Sequence, residues 1–180
     1  MKILKKIILL SILIITTNVL NAQSLAQLDI KNGFRNLKLG TPPSSISNKI
    51  SVKTNFDNVK IYKYTGKDIN SVYGIKVSEI KLHYYNNKLM TITINFGDAF
   101  DGPEFTISQY NSIITSLEGV YSNDNSNLIQ NSNVLRGTKW VGQKVDLEVV
   151  MFNSSHYGFN TGYLNIYDKK LMRDYNNNQF

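Results

Sequence analysis

Apolar and polar residues alternate along much of the chain, and this alternation predicts a protein built mainly from strands. The strongest example covers residues 80–96, where apolar residues occupy every second position on both sides of Asn86-Asn87. Period-two alternation is typical of a strand with one buried face. The pattern therefore predicts a β-hairpin, and the residues expected on its buried face are Leu82, Ile92 and Ile94.

The turn of this hairpin decides which residues face each other. A two-residue loop at Asn86-Asn87 would place Leu82 opposite Thr91, an apolar residue against a polar one. A three-residue loop that includes the preceding tyrosine, with Asn87 left-handed and followed by a bulge, would place Leu82 opposite Met90. We expect the three-residue loop, because it keeps one face of the hairpin apolar.

A helix is predicted over residues 106–121, where the apolar spacing changes from two to three or four. Thr106 can accept a hydrogen bond from the amide three residues on, and Gln109 can return the contact, which is the arrangement of a capping box. Apolar side chains at helical spacing form one face. The residues predicted on this face are Ile107, Tyr110, Ile114, Leu117 and Tyr121.

Weaker patterns complete the chain. A short helix is predicted over residues 42–49, because Thr41 can cap it and proline is tolerated in the first turn. Further strands are predicted at residues 59–64, 134–141, 145–151 and 163–167. Residues 23–31 and 169–180 are predicted to be polar end segments, and the Asn- and Ser-rich residues 122–133 to be a surface loop.

These elements predict an α+β fold with an antiparallel sheet and helices packed on one face. A helix followed by three strands occurs twice, in residues 34–97 and 104–168. The order of elements therefore suggests a tandem helix-plus-three-strand repeat, at an offset of roughly 70 residues. The alternative is that two unrelated halves share this order.

The first 22 residues have the features of a secretory signal. A basic start with three lysines precedes an apolar run over residues 7–15, and small residues end the segment at Ala22. That run is shorter than the roughly 20 apolar residues of a transmembrane helix, so an uncleaved anchor is the less favoured alternative. We expect a signal peptide over residues 1–22, a single domain over residues 23–180, a periplasmic or secreted location and no integral membrane span after cleavage.

Charge and composition argue against several classes of partner, metal site and cofactor. Loss of residues 1–22 removes three lysines and no acid, so the net charge falls from +7 to +4, which argues against a nucleic-acid partner. The chain has no cysteine, which excludes disulfides, thiol nucleophiles and cysteine-bound metals. No phosphate-binding glycine motif is present either. No cofactor is therefore predicted.

Residues suited to catalysis are scarce. The two histidines, His83 and His156, are far apart, and neither has a nearby acidic residue to complete a metal site or a catalytic triad. Asp98, Asp101 and Glu104 follow the strongest strand, where paired carboxylates would serve a hydrolase. Glycines and a proline among them favour a solvated turn. No catalytic or metal-ligating residue is predicted.

Aromatic residues are the remaining signal for binding. The segment over residues 153–162 is longer than a hairpin turn needs, and it contains His156, Tyr157 and Phe159 among glycines and asparagines. Exposed apolar area at such a surface segment normally marks a contact. Together with Trp140 on a neighbouring strand, these are the predicted binding residues. The alternative is that the two loop aromatics cover the edge of the sheet.

A short motif resembles a known class of protein. Residues 34–42, Phe-Arg-Asn-Leu-Lys-Leu-Gly-Thr-Pro, form a strand-like run that turns through glycine into a capped helix. This run resembles the opening of small exported bacterial modules of the BamE and β-lactamase-inhibitor-protein type. The resemblance implies helices packed on an antiparallel sheet, sometimes in tandem, in a module that binds other proteins without catalysis. It assigns no binding residue, and the lipobox cysteine of a BamE-type lipoprotein is absent.

The leading hypothesis is an exported, non-enzymatic binding or adaptor module that recognises a protein or a cell-envelope component. The alternatives are a small hydrolase acting on envelope polymers and a binder of a carbohydrate or lipid ligand. An enzyme requires polar groups that converge in a pocket, whereas an enclosed apolar cavity would favour the lipid ligand. The oligomeric state is left open.

Overall fold

Strands dominate the part of the chain that the computed structural model describes, which comprises residues 25–56, 58–98, 103–128, 133–154 and 159–179. The strands are β1 (Gly33–Phe34), β2 (Leu37–Lys38), β3 (Ile50–Phe56), β4 (Val59–Tyr64), β5 (Ser71–Val72), β6 (Ile75–Tyr85), β7 (Lys88–Phe96), β8 (Ser126–Asn127), β9 (Val134–Val141), β10 (Val145–Ser154) and β11 (Phe159–Asp168). The helical segments are α1 (residues 25–31), a 3₁₀ segment (Pro43–Lys49), α2 (Ile107–Tyr121) and α3 (Lys169–Asn177). Within the described ranges, no helix is long and apolar enough to cross a membrane. The predicted signal peptide lies outside the described residues.

Eight strands form one antiparallel sheet in the order β3-β4-β6-β7-β11-β10-β9-β8, to which β5 adds by pairing with β6. β1 and β2 form a separate hairpin. Two three-strand groups, β4-β6-β7 and β9-β10-β11, meet where β7 pairs with β11. The α+β class and the antiparallel sheet are therefore confirmed, with strands outweighing helices, while the duplication of the two halves stays a prediction. The short helix predicted at 42–49 is a 3₁₀ segment interrupted at Ile46 by non-helical backbone.

Alternate residues of the central strands define two faces of the sheet. The core face carries almost fully buried apolar residues, with Leu82, Ile92, Ile94, Leu147, Leu164 and Ile166 at its centre. The outer face carries the intervening residues, among them His83, Thr91, Thr93, Asn165 and Tyr167. The predicted burial of Leu82, Ile92 and Ile94 is thus confirmed, since none of the three has exposed area. α1, α2 and the β1–β2 hairpin pack on the core face through Leu28, Leu117 and Leu37.

The turn between β6 and β7 is not the predicted three-residue loop. Asn86 and Asn87 alone form it, and their φ angles of 47° and 63° are those of a type I′ turn. A bulge at Met90, which has no residue opposite it, shifts the register so that Leu82 faces Ile92. Apolar residues therefore still meet on the core face. The predicted turn is wrong because the bulge lies inside β7 rather than at the loop.

α2 begins where the sequence predicts. Thr106 Oγ1 accepts a hydrogen bond from the Gln109 amide at 3.2 Å, and Gln109 Oε1 accepts one from the Thr106 amide at 2.9 Å, so the capping box is confirmed. The buried residues of the helix are Tyr110, Ile113, Leu117 and Tyr121. Ile107 is 45% exposed. The buried face is therefore rotated from the predicted one towards Ile113.

The start of the described chain is an anchored helix rather than a polar end segment. In α1, Leu28 has no exposed area. The carboxylate of Asp29 accepts hydrogen bonds from the backbone amides of Gln143, Lys144 and Val145 at 2.9, 2.8 and 2.9 Å. These bonds tie α1 to the turn between β9 and β10. Their partners are 114 to 116 residues apart, which is why a local pattern does not predict them.

α3 also replaces a predicted polar end segment. Asp168 Oδ1 accepts hydrogen bonds from two backbone amides of the first turn at 2.8 and 2.9 Å, which caps the helix. The ring of Tyr175 packs edge-on against Tyr85, with centroids 5.7 Å apart. Tyr85 belongs to the outer face, because it alternates with Tyr84 of the core. The expectation of helices on one face therefore holds for α1 and α2 and is wrong for α3.

The Asn- and Ser-rich segment after α2 is only partly a loop. Ser126 and Asn127 form β8, which pairs with Lys139 and Thr138 of β9. The amide of Leu128 continues this contact by donating to the Gly137 carbonyl at 2.9 Å. Backbone pairing along β9 thus satisfies polar groups that a surface loop would leave to water.

Candidate functional site

A cavity of about 360 Å³ lies between the core face, α2 and the β1–β2 hairpin. Its inner wall consists of Leu117, Leu147, Leu164 and Ile166. Each of these side chains is at most 2% exposed, because strand alternation points the three sheet residues to this side and Leu117 belongs to the buried face of α2. Phe34 and Tyr121 complete the wall. The interior of the cavity is therefore largely apolar.

The mouth of the cavity is positively charged. Lys31 from α1 and Arg35 and Lys38 from the β1–β2 hairpin line it, and all three are exposed. None of them pairs with a carboxylate in the described part of the chain. Arg35 donates to the carbonyl oxygens of Asp68 and Ser71 at 2.6 and 3.1 Å. Lys38 Nζ donates to the Lys31 carbonyl at 2.7 Å. These bonds position two of the cations without neutralising their charge.

In two turns at the mouth, a bulky residue has a left-handed backbone conformation. Arg35, with φ 52°, is the first residue of the turn between β1 and β2, and Tyr73, with φ 50°, is the first residue of the turn between β5 and β6. Left-handed backbone favours glycine, asparagine and aspartate, and a bulky residue there costs about 1–3 kcal/mol. Both side chains line the cavity. Such strain clusters at functional sites, which makes the mouth a candidate site.

Tyr121 adds a hydrogen-bonding group to the cavity. Burial, with a smaller contribution from Tyr73, raises the pKa of Tyr121 to about 12. Its hydroxyl therefore stays protonated near neutral pH. Lys31 Nζ lies 5.1 Å from the centroid of the Tyr121 ring, within the range of a cation–π contact. Aspartate, glutamate and histidine are absent from the described lining. The arrangement suits the binding of an acidic group beside an apolar tail.

The structure places Trp140, one of the predicted binding residues, in the core. It has no exposed area, and its indole Nε1 donates to the carbonyl oxygen of Ser122 at 3.0 Å. On β9 it lies opposite Leu147 of the cavity wall. Trp140 is therefore unavailable for stacking on a partner at the surface. As the single tryptophan of the chain, it is instead a fluorescent reporter beside the cavity.

The segment that carries the other predicted binding residues is shorter than expected. β10 and β11 pair as far as Ser154 and Phe159, so the connecting loop spans only residues 155–158, an ordinary length for a hairpin. The excess loop length on which the prediction rested is therefore not observed. His156 and Tyr157 lie outside the described residues. Phe159 is half-buried at the start of β11, and its contact with a partner stays a prediction.

One of the acidic residues before α2, Glu104, has a structural contact. Glu104 Oε1 accepts hydrogen bonds from the backbone and side-chain amides of Asn160 at 3.1 and 2.5 Å. These bonds join the segment before α2 to β11. Asp101 lies outside the described residues. Across the described ranges, no group of three or more acidic or histidine side chains is placed to hold a metal ion.

The residues at the mouth carry only a weak signal in the sequence. Lys31, Arg35 and Lys38 fall within eight consecutive positions, and Tyr73 precedes a glycine, which marks a turn. The apolar wall comes from much later positions, on α2, β10 and β11. Only the folded sheet brings the two sets together. A basic cluster beside a short hairpin is therefore the one local signal of this site.

Comparison with known protein families, curated proteins and solved structures finds no significant match to this chain. The resemblance of residues 34–42 to modules of the BamE and β-lactamase-inhibitor-protein type therefore stays a prediction. Function has to be argued from the chemistry of the site rather than from the fold.

Proposed function

We propose that this protein is an exported, non-enzymatic binding module whose ligand is an anionic amphiphile of the cell envelope, a fatty acid or a lipid with an acidic head group. The observation that carries the proposal is an apolar cavity with three cations at its mouth that lack a carboxylate partner in the described ranges. An acyl chain gains about 0.8 kcal/mol per buried methylene. An acidic head group gains charge-assisted hydrogen bonds from the cations.

The dimensions of the cavity favour a small ligand. Its volume of about 360 Å³ lies near the lower end of the ~300–1,000 Å³ found for small-molecule sites. Leu147, Leu164 and Ile166 belong to paired central strands, so the wall is a rigid surface. A single acyl chain of medium length is the ligand that such a volume favours.

The lining favours binding over hydrolysis. General acid–base catalysis needs a side chain with a pKa near the working pH. The described lining holds three cations and two tyrosines as its polar groups. Burial raises the pKa of both Tyr73 and Tyr121, which removes these hydroxyls further from the neutral range. The hydrolase hypothesis therefore has no support from this cavity.

Export and the internal repeat belong to the same proposal. The secretory features of residues 1–22 support cleavage after Ala22 and a periplasmic or secreted location. Such a location brings envelope lipids within reach. The repeat proposal is that residues 34–97 and 104–168 derive from one unit, because each contributes a three-strand group and the third strands pair with each other.

Calorimetric titration of residues 23–180 with decanoate tests the ligand proposal. We expect saturable binding at one site and a change in Trp140 fluorescence, because its strand neighbour Leu147 lines the cavity. Decanol and decyltrimethylammonium have the same chain with a neutral and a cationic head, and they should bind at least about tenfold more weakly. Vesicles of phosphatidylglycerol test a membrane lipid as the source of the same chemistry. Equal affinity for decanol and decanoate would contradict the proposal.

Two lysine variants provide a matched control. Lys38→Gln removes a cation at the mouth, whereas Lys88→Gln removes an exposed lysine of β7 that does not line the cavity. We expect about a tenfold loss of decanoate affinity in the first variant, since one charged hydrogen-bond partner is lost. The second variant should bind as the native protein does. Similar losses in both would mean that general charge, rather than the cavity, attracts the ligand.

A further inference from the structure

A second concave region lies on the opposite side of the sheet. It is a groove of about 540 Å³ between the β3–β4 hairpin, the outer face of β6 and α3. Strand pairing places Val59 beside Tyr85 and Ile61 beside His83, and these four residues form its floor. The groove shares no lining residue with the core-face cavity.

Aromatic rings border this groove. Phe56, at the end of β3, is 63% exposed, a large apolar surface left in contact with water. Tyr175 of α3 and Tyr85 of β6 stand edge-on to each other, with centroids 5.7 Å apart and an interplanar angle of 68°. The groove thus offers flat apolar faces on which a ring with C–H groups can pack.

Neutral polar groups accompany the rings. Asn178 Nδ2 donates to the Tyr85 hydroxyl at 2.7 Å, which orders the end of α3 over the groove. Asn58 and Gln179, whose side chains end in amides, are also among the residues that line the groove. Each such amide offers both donors and an acceptor. Burial, with a smaller contribution from the charge of Lys81, lowers the pKa of His83 below its ordinary value, so its imidazole is neutral around pH 7.

Formal charge is absent from the described lining of the groove. Phe56, Asn58, Val59, Ile61, His83, Tyr85, Met90, Tyr175, Asn178 and Gln179 line it, and none is aspartate, glutamate, lysine or arginine. Asp57, which lies in the chain between Phe56 and Asn58, is outside the described residues, and among the lining residues just named none offers a charged partner to an ion. A ligand with apolar ring faces and uncharged hydroxyl or amide groups at its rim matches both sets of side chains.

We propose that the outer-face groove binds an uncharged sugar unit, with Phe56 and Tyr175 as stacking surfaces and the amides of Asn58 and Gln179 as hydrogen-bonding partners. This site goes beyond the function proposed above and is independent of it. One module would then hold an acidic amphiphile on the core face and a neutral glycan on the outer face. Such a molecule can connect two chemically different components of an envelope.

Titration of residues 23–180 with maltotriose, cellotriose and N,N′,N″-triacetylchitotriose tests this proposal, followed by saturation-transfer NMR and calorimetry. We expect at least one of these neutral sugars to bind at millimolar concentration. Decanoate should not displace it, because the two sites share no residue. Absence of binding by all three sugars, or displacement by decanoate, would overturn the outer-face site. Failure of decanoate to bind would overturn only the core-face proposal.

Two substitutions on β3 provide the matched control. Phe56→Ser removes a stacking surface, and Val52→Ser removes an equally exposed apolar side chain, 69% accessible, that does not line the groove. Both positions are at the surface, so neither change should disturb folding. We expect Phe56→Ser to weaken sugar binding about tenfold and Val52→Ser to leave it unchanged. Equal losses in the two variants, or no loss in Phe56→Ser, would overturn the proposal.

Discussion

The core-face cavity and the outer-face groove use the same sheet and differ in charge. In both, strand residues supply the hydrophobic wall, such as Leu147 and Leu164 on one side and Val59 and Tyr85 on the other. The difference comes from the segments that cover the sheet. α1 and the β1–β2 hairpin bring cations to one side, whereas the end of α3 brings amides and a tyrosine to the other. The covering segments, rather than the sheet, therefore set the difference in charge between the described lining of the cavity and that of the groove.

The turns of the molecule show a related contrast. Asn86 and Asn87 occupy left-handed positions in the β6–β7 turn, and asparagine tolerates that conformation. Arg35 and Tyr73 occupy left-handed positions at the cavity mouth, although neither residue type favours it. A turn that serves only the fold has residues suited to its backbone. At the cavity mouth, the Arg35 side chain makes its hydrogen bonds outside its own turn, to the carbonyl oxygens of Asp68 and Ser71.

The largest expected effect is a difference in unfolding free energy between a truncation on the core face and one on the outer face. Ile92→Ala should cost on the order of 2–4 kcal/mol in urea unfolding, because Ile92 has no exposed area and its truncation leaves a cavity in the core. Thr93→Ala, at the adjacent outer-face position, should cost less than about 1 kcal/mol, since its side chain is half-buried. Equal losses would mean that the outer face is packed as tightly as the core.

A second prediction concerns the helix that carries Lys31 to the cavity mouth. Asp29→Asn removes the charge that accepts three backbone hydrogen bonds from the β9–β10 turn. Charge-assisted bonds of this kind contribute roughly 1.5–3 kcal/mol, so we expect about 2 kcal/mol of lost stability and weaker decanoate binding. Asp124→Asn, at an exposed position after α2, is the control. Binding of the neutral sugars should not change, and a parallel loss there would mean that the two sites are not independent.

A third prediction concerns the pH dependence of stability that His83 causes on the outer face. The folded pKa of His83 is lowered, so between that value and the ordinary value of about 6.5 the unfolded chain binds more protons than the folded chain. This contribution to stability is present in full above about pH 6.5 and is lost as the pH falls through the lowered pKa. Urea unfolding from about pH 7 to about pH 5 should show the loss, at no more than about 1.4 kcal/mol per pH unit.

Variants of the two histidines assign this pH dependence. His83→Gln should flatten the decline in stability, because the titrating group is removed. His156→Gln is the comparison variant for the other histidine. These are the only two histidines of the chain, so the two variants together cover every imidazole that can titrate. If His156→Gln flattened the profile and His83→Gln did not, the pH dependence would belong to the hairpin loop rather than to the outer-face groove.

The smallest expected effect tests the strained turn. Tyr73→Asn places before Gly74 the residue that a type I′ turn favours. We expect stability in urea to rise by up to about 1 kcal/mol, while decanoate affinity falls because a side chain at the mouth is lost. A gain in stability without any loss of affinity would separate the strain from ligand binding. A loss of stability would show that the Tyr73 side chain supports the fold.

The sequence by itself determined the elements whose signals are local. Thr106 and Gln109 lie three residues apart, and their capping box starts α2 as predicted. The alternation around Leu82 and Ile92 likewise predicts the central hairpin and its buried face. The turn between them was beyond prediction, because a bulge at Met90 corrects the register several residues away from the loop. A local pattern thus predicts which residues are buried. It does not predict the position of the bulge residue, Met90.

Only the tertiary structure decided where the core-face cavity and the outer-face groove lie. Asp29 finds its partners 114 to 116 residues later in the chain, and that contact holds Lys31 at the mouth of a cavity whose inner wall begins at Leu117. α3 follows a capping Asp168, yet its place on the outer face depends on packing between Tyr175 and Tyr85. Periodicity shows which side chains share one face of their own helix or strand. The identity of its neighbours across the sheet depends on strand order, which is a property of the whole chain.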